Sequence, residues 1–161
     1  MESKKKACLY RIRNREILKR VYTSGMKTER TKEWYRELSK PPWSPPSYLF
    51  GPVWSVLYFL IAISFGYTFL FALKGGMPIV LLLPFVLNLI FNIAFTPIQF
   101  GLRNNELATL DIYLVLITLV VSMIVVYPYI PLVTYINIPY LLWVSFATVL
   151  QTAITLLNKK I

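Results

Sequence analysis

The chain contains no histidine and one cysteine, Cys8, among its 161 residues. The missing histidine removes the usual proton shuttle, haem axial ligand and zinc ligand. A single cysteine excludes an internal disulfide and any cysteine-based metal cluster, so neither a metal site nor a resident cofactor is expected. Acidic side chains are also scarce, and Asp111 is the only one beyond Glu106. Charge of either sign is missing from three long stretches: between Lys40 and Lys74, between Lys74 and Arg103, and between Asp111 and Lys159. Residues 1–33 in turn hold no apolar core that would serve as a secretory signal.

Hydrocarbon and aromatic rings fill the uncharged stretches. Hydrophobic residues make up 57% of the chain and charged ones 15%, a balance unsuited to a soluble globule of this size, whose surface must be mostly polar. A bilayer core takes about 20 apolar residues per helix, so the first two uncharged runs each hold one crossing. The third, residues 112–158, would reach roughly 70 Å as a single helix and must turn back once. Tyr127-Pro-Tyr-Ile-Pro131 is the turn, because proline interrupts the helix and tyrosine suits the interface. The expected fold is an all-α, polytopic transmembrane helical bundle with spans near 47–73, 77–101, 107–127 and 134–157. A basic tail over 1–33, disordered or interfacial, precedes the membrane domain 34–158, and a short tail, 159–161, follows it.

Charge placement gives an orientation. Thirteen of the 17 lysines and arginines precede residue 41. With the N-terminus inside, these bases share one side with Arg103, Lys159 and Lys160, and Lys74 alone faces the other. The positive-inside rule then places both termini in the cytoplasm, in the cell membrane if the source is prokaryotic. The same bias accounts for the net charge of +10. The expected partner is therefore membrane lipid, with weak attraction of the tail to acidic headgroups, and not nucleic acid.

The boundary between tail and bilayer carries three of the four tryptophans, Trp34, Trp43 and Trp54, with Pro41, Pro42, Pro45, Pro46 and Pro52 beside them. Trp34-Tyr35-x-x-Leu38-x-Lys40-Pro41-x-Trp43-x-Pro45-Pro46, then Phe50-Gly51-Pro52-Val53-Trp54-x-x-Leu57-Tyr58, resembles the tryptophan-rich sensory protein/translocator protein (TspO/MBR) family, relatives of the peripheral-type benzodiazepine receptor. Asn92-x-x-Phe95-Thr96-Pro97-x-x-Phe100-Gly101, Ala108-x-x-Asp111-Ile112 and Pro139-Tyr-Leu-Leu-Trp-Val-Ser-Phe-Ala-Thr148 resemble later family blocks in the same order, so the likeness spans residues 34–158. Phe95 stands where the family motif has tryptophan.

The resemblance implies five transmembrane helices, the first ahead of the Trp-Tyr motif. Here that place holds a basic segment in which each Arg or Lys at a helix centre would cost about 3 kcal/mol, so four spans are expected. A four-helix member, a different start and a shifted upstream reading frame all leave such a tail. The resemblance also implies a pocket for flat aromatic ligands such as porphyrins, with a regulatory or transport-linked role. Some bacterial relatives degrade porphyrin under light and oxygen, and the tryptophans implicated match Trp54 and Trp143. A third alternative is a membrane component whose pocket was lost with the first helix. Leu150–Lys159 lacks the tyrosine of cholesterol-recognition patterns, which argues against sterol binding.

The candidate ligand-binding residues are Trp43, Trp54, Tyr58, Asn88, Asn92, Phe95, Asp111, Trp143, Ala147 and Leu150. No catalytic residue is assigned, except Trp54 and Trp143 in the degradation alternative. Trp54 and Tyr58, and likewise Trp143, Ala147 and Leu150, follow helical spacing, which serves packing as well as a pocket wall. Asn88 and Asn92 share a helix face and, with Gln99 and Gln151, suit interhelical hydrogen bonds as well as ligand contact. Asp111 is a functional candidate as an ionisable group at the membrane boundary. It would equally serve the first turn of its helix, with Arg103 as its nearest partner. In the family the proline-rich segment Lys40–Pro46, too proline-rich for helix, is a loop lidding the pocket, and its other role is interfacial anchorage. Gly66 suggests close packing, and Gly75-Gly76 a loop. A homodimer is a candidate partner state, but the 77–101 helix has no Gly-x-x-x-Gly to locate its contact.

Overall fold

The computed structural model describes residues 33–159. The expectation for the tail over 1–33 and for the last two residues therefore lies outside the described residues, apart from Glu33. Residues 33–37 form a helical turn within a unit that ends at Leu38. The second unit begins at Ser39 and carries all the long helices.

Among the described residues every regular element is helical. The proline-rich stretch makes a turn at Pro42-Trp43, with Ser44 N–H donating to the Pro41 carbonyl at 2.9 Å. Pro46 is extended (φ −56°, ψ 138°), and a 3₁₀ turn, Ser47–Leu49, leads into α1 (Phe50–Leu73). This follows from proline's missing N–H and its bias against helix in the residue before it. A second 3₁₀ turn, Ile79–Leu82, enters α2 (Leu83–Thr96), which continues as a π-helical turn over Pro97–Gly101. The next elements are α3 (Asn105–Val126), short α4 (Pro131–Ile136) and α5 (Ile138–Leu157).

Four helices are long and apolar enough to cross a membrane: Ser47–Leu73, Ile79–Gly101, Asn105–Val126 and Ile138–Leu157. Most of each span's apolar window is left uncovered by the protein, at most 39% of it being buried, as expected of helices whose other faces meet lipid. The expected turn at Tyr127–Pro131 is present, with Tyr127 and Tyr129 a little under half exposed. The last span starts later than expected because Asn137 breaks the run: it ends α4 and precedes α5. Pro139 has no N–H to carry the ladder across that point. The third span starts earlier, because the Asn104 side chain accepts from Leu107 N–H at 2.9 Å and caps the helix there.

The closest backbone packing is of α3 against α2 and α5. The core between the helices includes Leu57, Ile61 and Phe65 from α1, Phe85 from α2, Val115 and Leu119 from α3, and Val144 from α5. Phe65 meets Phe85 edge-on with ring centroids 4.8 Å apart. Gly75 does form a loop and needs its positive φ of 82°, while a Cβ on Gly76 would lie 2.4 Å from the Phe71 ring. Gly66 corrects the expectation of close packing: it is exposed on α1, and a Cβ there would meet nothing within 4 Å.

Candidate functional site

Two sets of side chains converge where α1, α2, α3 and α5 meet. The first is aromatic. Trp43, about half exposed on the proline-rich loop, packs edge-on against Phe146 of α5 at 6.0 Å. Phe146 lies 5.7 Å from Trp143, and Trp143 in turn meets Phe50 of α1 at 5.7 Å. One helical turn further along α1, Trp54 lies 5.3 Å from Tyr58 and 6.4 Å from Tyr140 of α5. Ala147 and Phe95 are partly buried against the core. Leu150, the last member of the Trp143 stripe, is fully inside.

The second set is polar, and Asn88, Asn92, Gln99, Tyr140 and Gln151 within it are buried. Asn88 Nδ2 donates to the Val115 carbonyl at 2.9 Å and to Thr118 Oγ1 at 3.2 Å, joining α2 to α3. Tyr140 Oη donates to Asn88 Oδ1 at 3.1 Å and accepts from Asn92 Nδ2 at 2.8 Å, adding α5. Tyr58 Oη donates to Asn92 Oδ1 at 3.0 Å, adding α1. The two asparagines thus serve as the interhelical bonds their spacing suggested. Gln99 and Gln151 do the same nearer the α2–α3 loop, with Gln151 Nε2 donating to Gln99 Oε1 at 3.0 Å and Gln99 Nε2 donating to Asn105 Oδ1 at 3.2 Å. Asn105 also accepts at its carbonyl from Thr109 and Thr155.

Asp111 departs from expectation. It is the seventh residue of α3, beyond the first turn where a carboxylate complements the helix dipole, and Glu106 occupies that turn instead. Arg103 makes no ion pair with it among the described residues: Arg103 is exposed in the loop with a left-handed backbone, φ 52°. Asp111 itself is 5% exposed, and its Oδ2 has no hydrogen-bond partner. Trp143 Nε1 is the other buried side-chain N or O atom without one among the described residues.

The proline-rich loop is clasped at its Ser39 end. Ser39 N–H donates to Asn158 Oδ1 at 3.0 Å, and Asn158 Nδ2 donates to the Ser39 carbonyl at 2.8 Å. Partial burial holds the Lys40 ammonium below the usual lysine pKa. Sequence reasoning missed Tyr140, Phe50 and Phe146. For Tyr140 a signal was available, since Tyr140, Val144, Thr148 and Gln151 follow helical spacing and all four are buried. The ring contacts of Phe50 and Phe146 depend on which helices pack together, which spacing does not encode.

The family model described as TspO/MBR family matches residues 17–157, starting upstream of Trp34. The chain is 36% identical to the tryptophan-rich protein TspO of Bacillus cereus over 137 residues, 85% of this chain and 88% of that protein. It is 35% identical to the human translocator protein over 121 residues, 73% of this chain and 70% of that one. With protein CrtK of Rhodobacter capsulatus the identity is 30% over 125 residues, 78% of each chain. Together with four apolar spans, these matches make it an integral, multi-pass membrane protein. The chain belongs to the TspO/MBR family.

Proposed function

We propose that the protein binds flat, tetrapyrrole-like ligands, porphyrins foremost, among its membrane helices, with a regulatory or transport-linked output. The observation that carries this reading is the Trp143 indole, half-buried between Phe50 and Phe146 with its N–H shielded and unspent. Its ring face offers stacking, and its N–H offers one directional bond to a carbonyl or carboxylate on the ligand. Trp54 and Tyr58 extend the aromatic surface, and partly buried Ala147, one turn from Trp143, leaves space beside it. The loop carrying Trp43, which packs on Phe146 and is clasped at Ser39 by Asn158, suits a lid. One relative is named translocator protein, a name in keeping with a transport-linked output. The placement of the bases supports both termini in the cytoplasm and, in a prokaryote, residence in the cell membrane.

Protoporphyrin IX titrated into the purified protein should quench tryptophan fluorescence saturably. Trp143→Phe keeps a ring and removes the N–H, and it should weaken binding about tenfold, the value of one good hydrogen bond. Absence of saturable quenching in the wild-type protein would overturn the reading in favour of a membrane component that binds no such ligand. Illumination in air separates binding from degradation. Loss of the porphyrin's Soret band that stops in Trp54→Phe would make the protein an enzyme, whereas unchanged loss would be free photochemistry.

A further inference from the structure

Along α3, Asp111 lies between two bonded layers. On one side Thr109 is bonded to Thr155, 2.7 Å away, and on the other Val115 and Thr118 accept from Asn88. The amides of Asn88, Asn92, Gln99 and Gln151 each donate to another acceptor. Asp111 Oδ2 is left with no donor, and no lysine or arginine forms an ion pair with the carboxylate among the described residues. Lipid cannot supply what is missing, and an uncompensated carboxylate away from water is costly enough that such residues normally pair or mark a ligand path.

We propose that Asp111 is the acceptor subsite for a nitrogen donor on the ligand, a protonated amine or a polarised N–H at the edge of a flat aromatic framework. The inference rests on the ligand-binding reading above and adds a chemical requirement to it: stacking on the tryptophans selects a flat ring, and Asp111 selects a nitrogen on its rim. A ligand of the same shape without that N–H leaves the carboxylate unpaired and binds more weakly, as a site built for an N–H discriminates against the analogue without one.

The test uses the full chain in detergent and compares probes that differ in one group. A porphyrin bearing a single peripheral primary amine should bind at least tenfold more tightly than its methyl-bearing isostere, by tryptophan quenching. Asp111→Asn should remove the preference and leave the isostere's affinity within about twofold. Equal affinities in the wild type, or a preference that survives in Asp111→Asn, would overturn the proposal. If neither porphyrin binds, the tetrapyrrole reading fails on its own, and 9-aminoacridine against 9-methylacridine decides the subsite. A preference for the amine that depends on Asp111 sustains it, and equal or absent binding overturns it. Should Asp111→Asn not fold, infrared difference spectra of the wild type take its place. The amine must perturb a carboxyl or carboxylate band that the isostere leaves untouched, and no difference would overturn the proposal.

Discussion

Replacing Tyr140 by phenylalanine removes one oxygen from a fully buried position and leaves the ring in place. Among the described residues that oxygen is the one partner of Asn88 Oδ1 and of Asn92 Nδ2, so the substitution strands an acceptor and a donor together. Interhelical hydrogen bonds in membranes average about 0.6 kcal/mol and reach about 1.7, while a buried polar group left unpaired in a folded protein costs roughly 1–3 kcal/mol. For two bonds lost at the contact of α2 with α5, the expected destabilisation is about 2 kcal/mol. Reversible unfolding of the purified protein in mixed micelles, followed by circular dichroism, would measure it. A double-mutant cycle with Asn92→Ala gives a sharper check, because both changes break the same bond. The pair should cost less than the sum of the single changes by at least about 0.5 kcal/mol. A loss below about 0.5 kcal/mol for Tyr140→Phe, with additive behaviour in the cycle, would refute the network as a source of stability.

Other perturbations give outcomes of different sign. Arg103→Gly should stabilise the protein by about 0.5 kcal/mol in the same assay, since the left-handed backbone at Arg103 costs a side-chain-bearing residue more than glycine's extra entropy costs. Asn104→Ala should destabilise by about 1 kcal/mol through loss of the α3 cap, seen as a lower unfolding midpoint. Phe85→Ala, which empties the space against Phe65, should cost about 3 kcal/mol. Gly66→Ala should be neutral or raise stability by up to about 1 kcal/mol, because helix propensity improves and nothing stands in the way of the methyl group. A drop in stability on that last change would mean that another molecule covers the Gly66 face.

The four spans were legible because lipid leaves a direct mark on sequence. A charge-free run such as 41–73 has few alternatives to a crossing helix, since its backbone can satisfy its polar groups only internally. The Tyr-Pro turn was legible for the same local reason. Partners distant in sequence were harder to read. The helical spacing of Asn88 and Asn92 shows that they share a face, but whether that face meets a tyrosine, a carbonyl or a ligand depends on residues 27 to 52 positions away. Arg103 and Asp111 looked like neighbours across a short loop. The loop's left-handed residue and the early start of α3 instead leave the arginine exposed and the carboxylate inside. Gly66 misled because a small residue in an apolar helix reads alike whether it faces a neighbour or lipid. The candidate site was therefore readable as a set of residue types, and its bonding was not.

The amide layer also sets an order on biosynthesis. Asn88 is made before its partners on α3 and α5, since the Val115 carbonyl follows 27 residues later and Tyr140 52 residues later. At about 5–20 residues per second, the gap to Tyr140 lasts from about 3 to about 10 seconds. During it the second span carries a carboxamide whose final partner is absent and that hydrocarbon cannot solvate. Only α5 brings the hydroxyl that closes the layer, so a chain interrupted before Tyr140 keeps an unmet amide in the membrane.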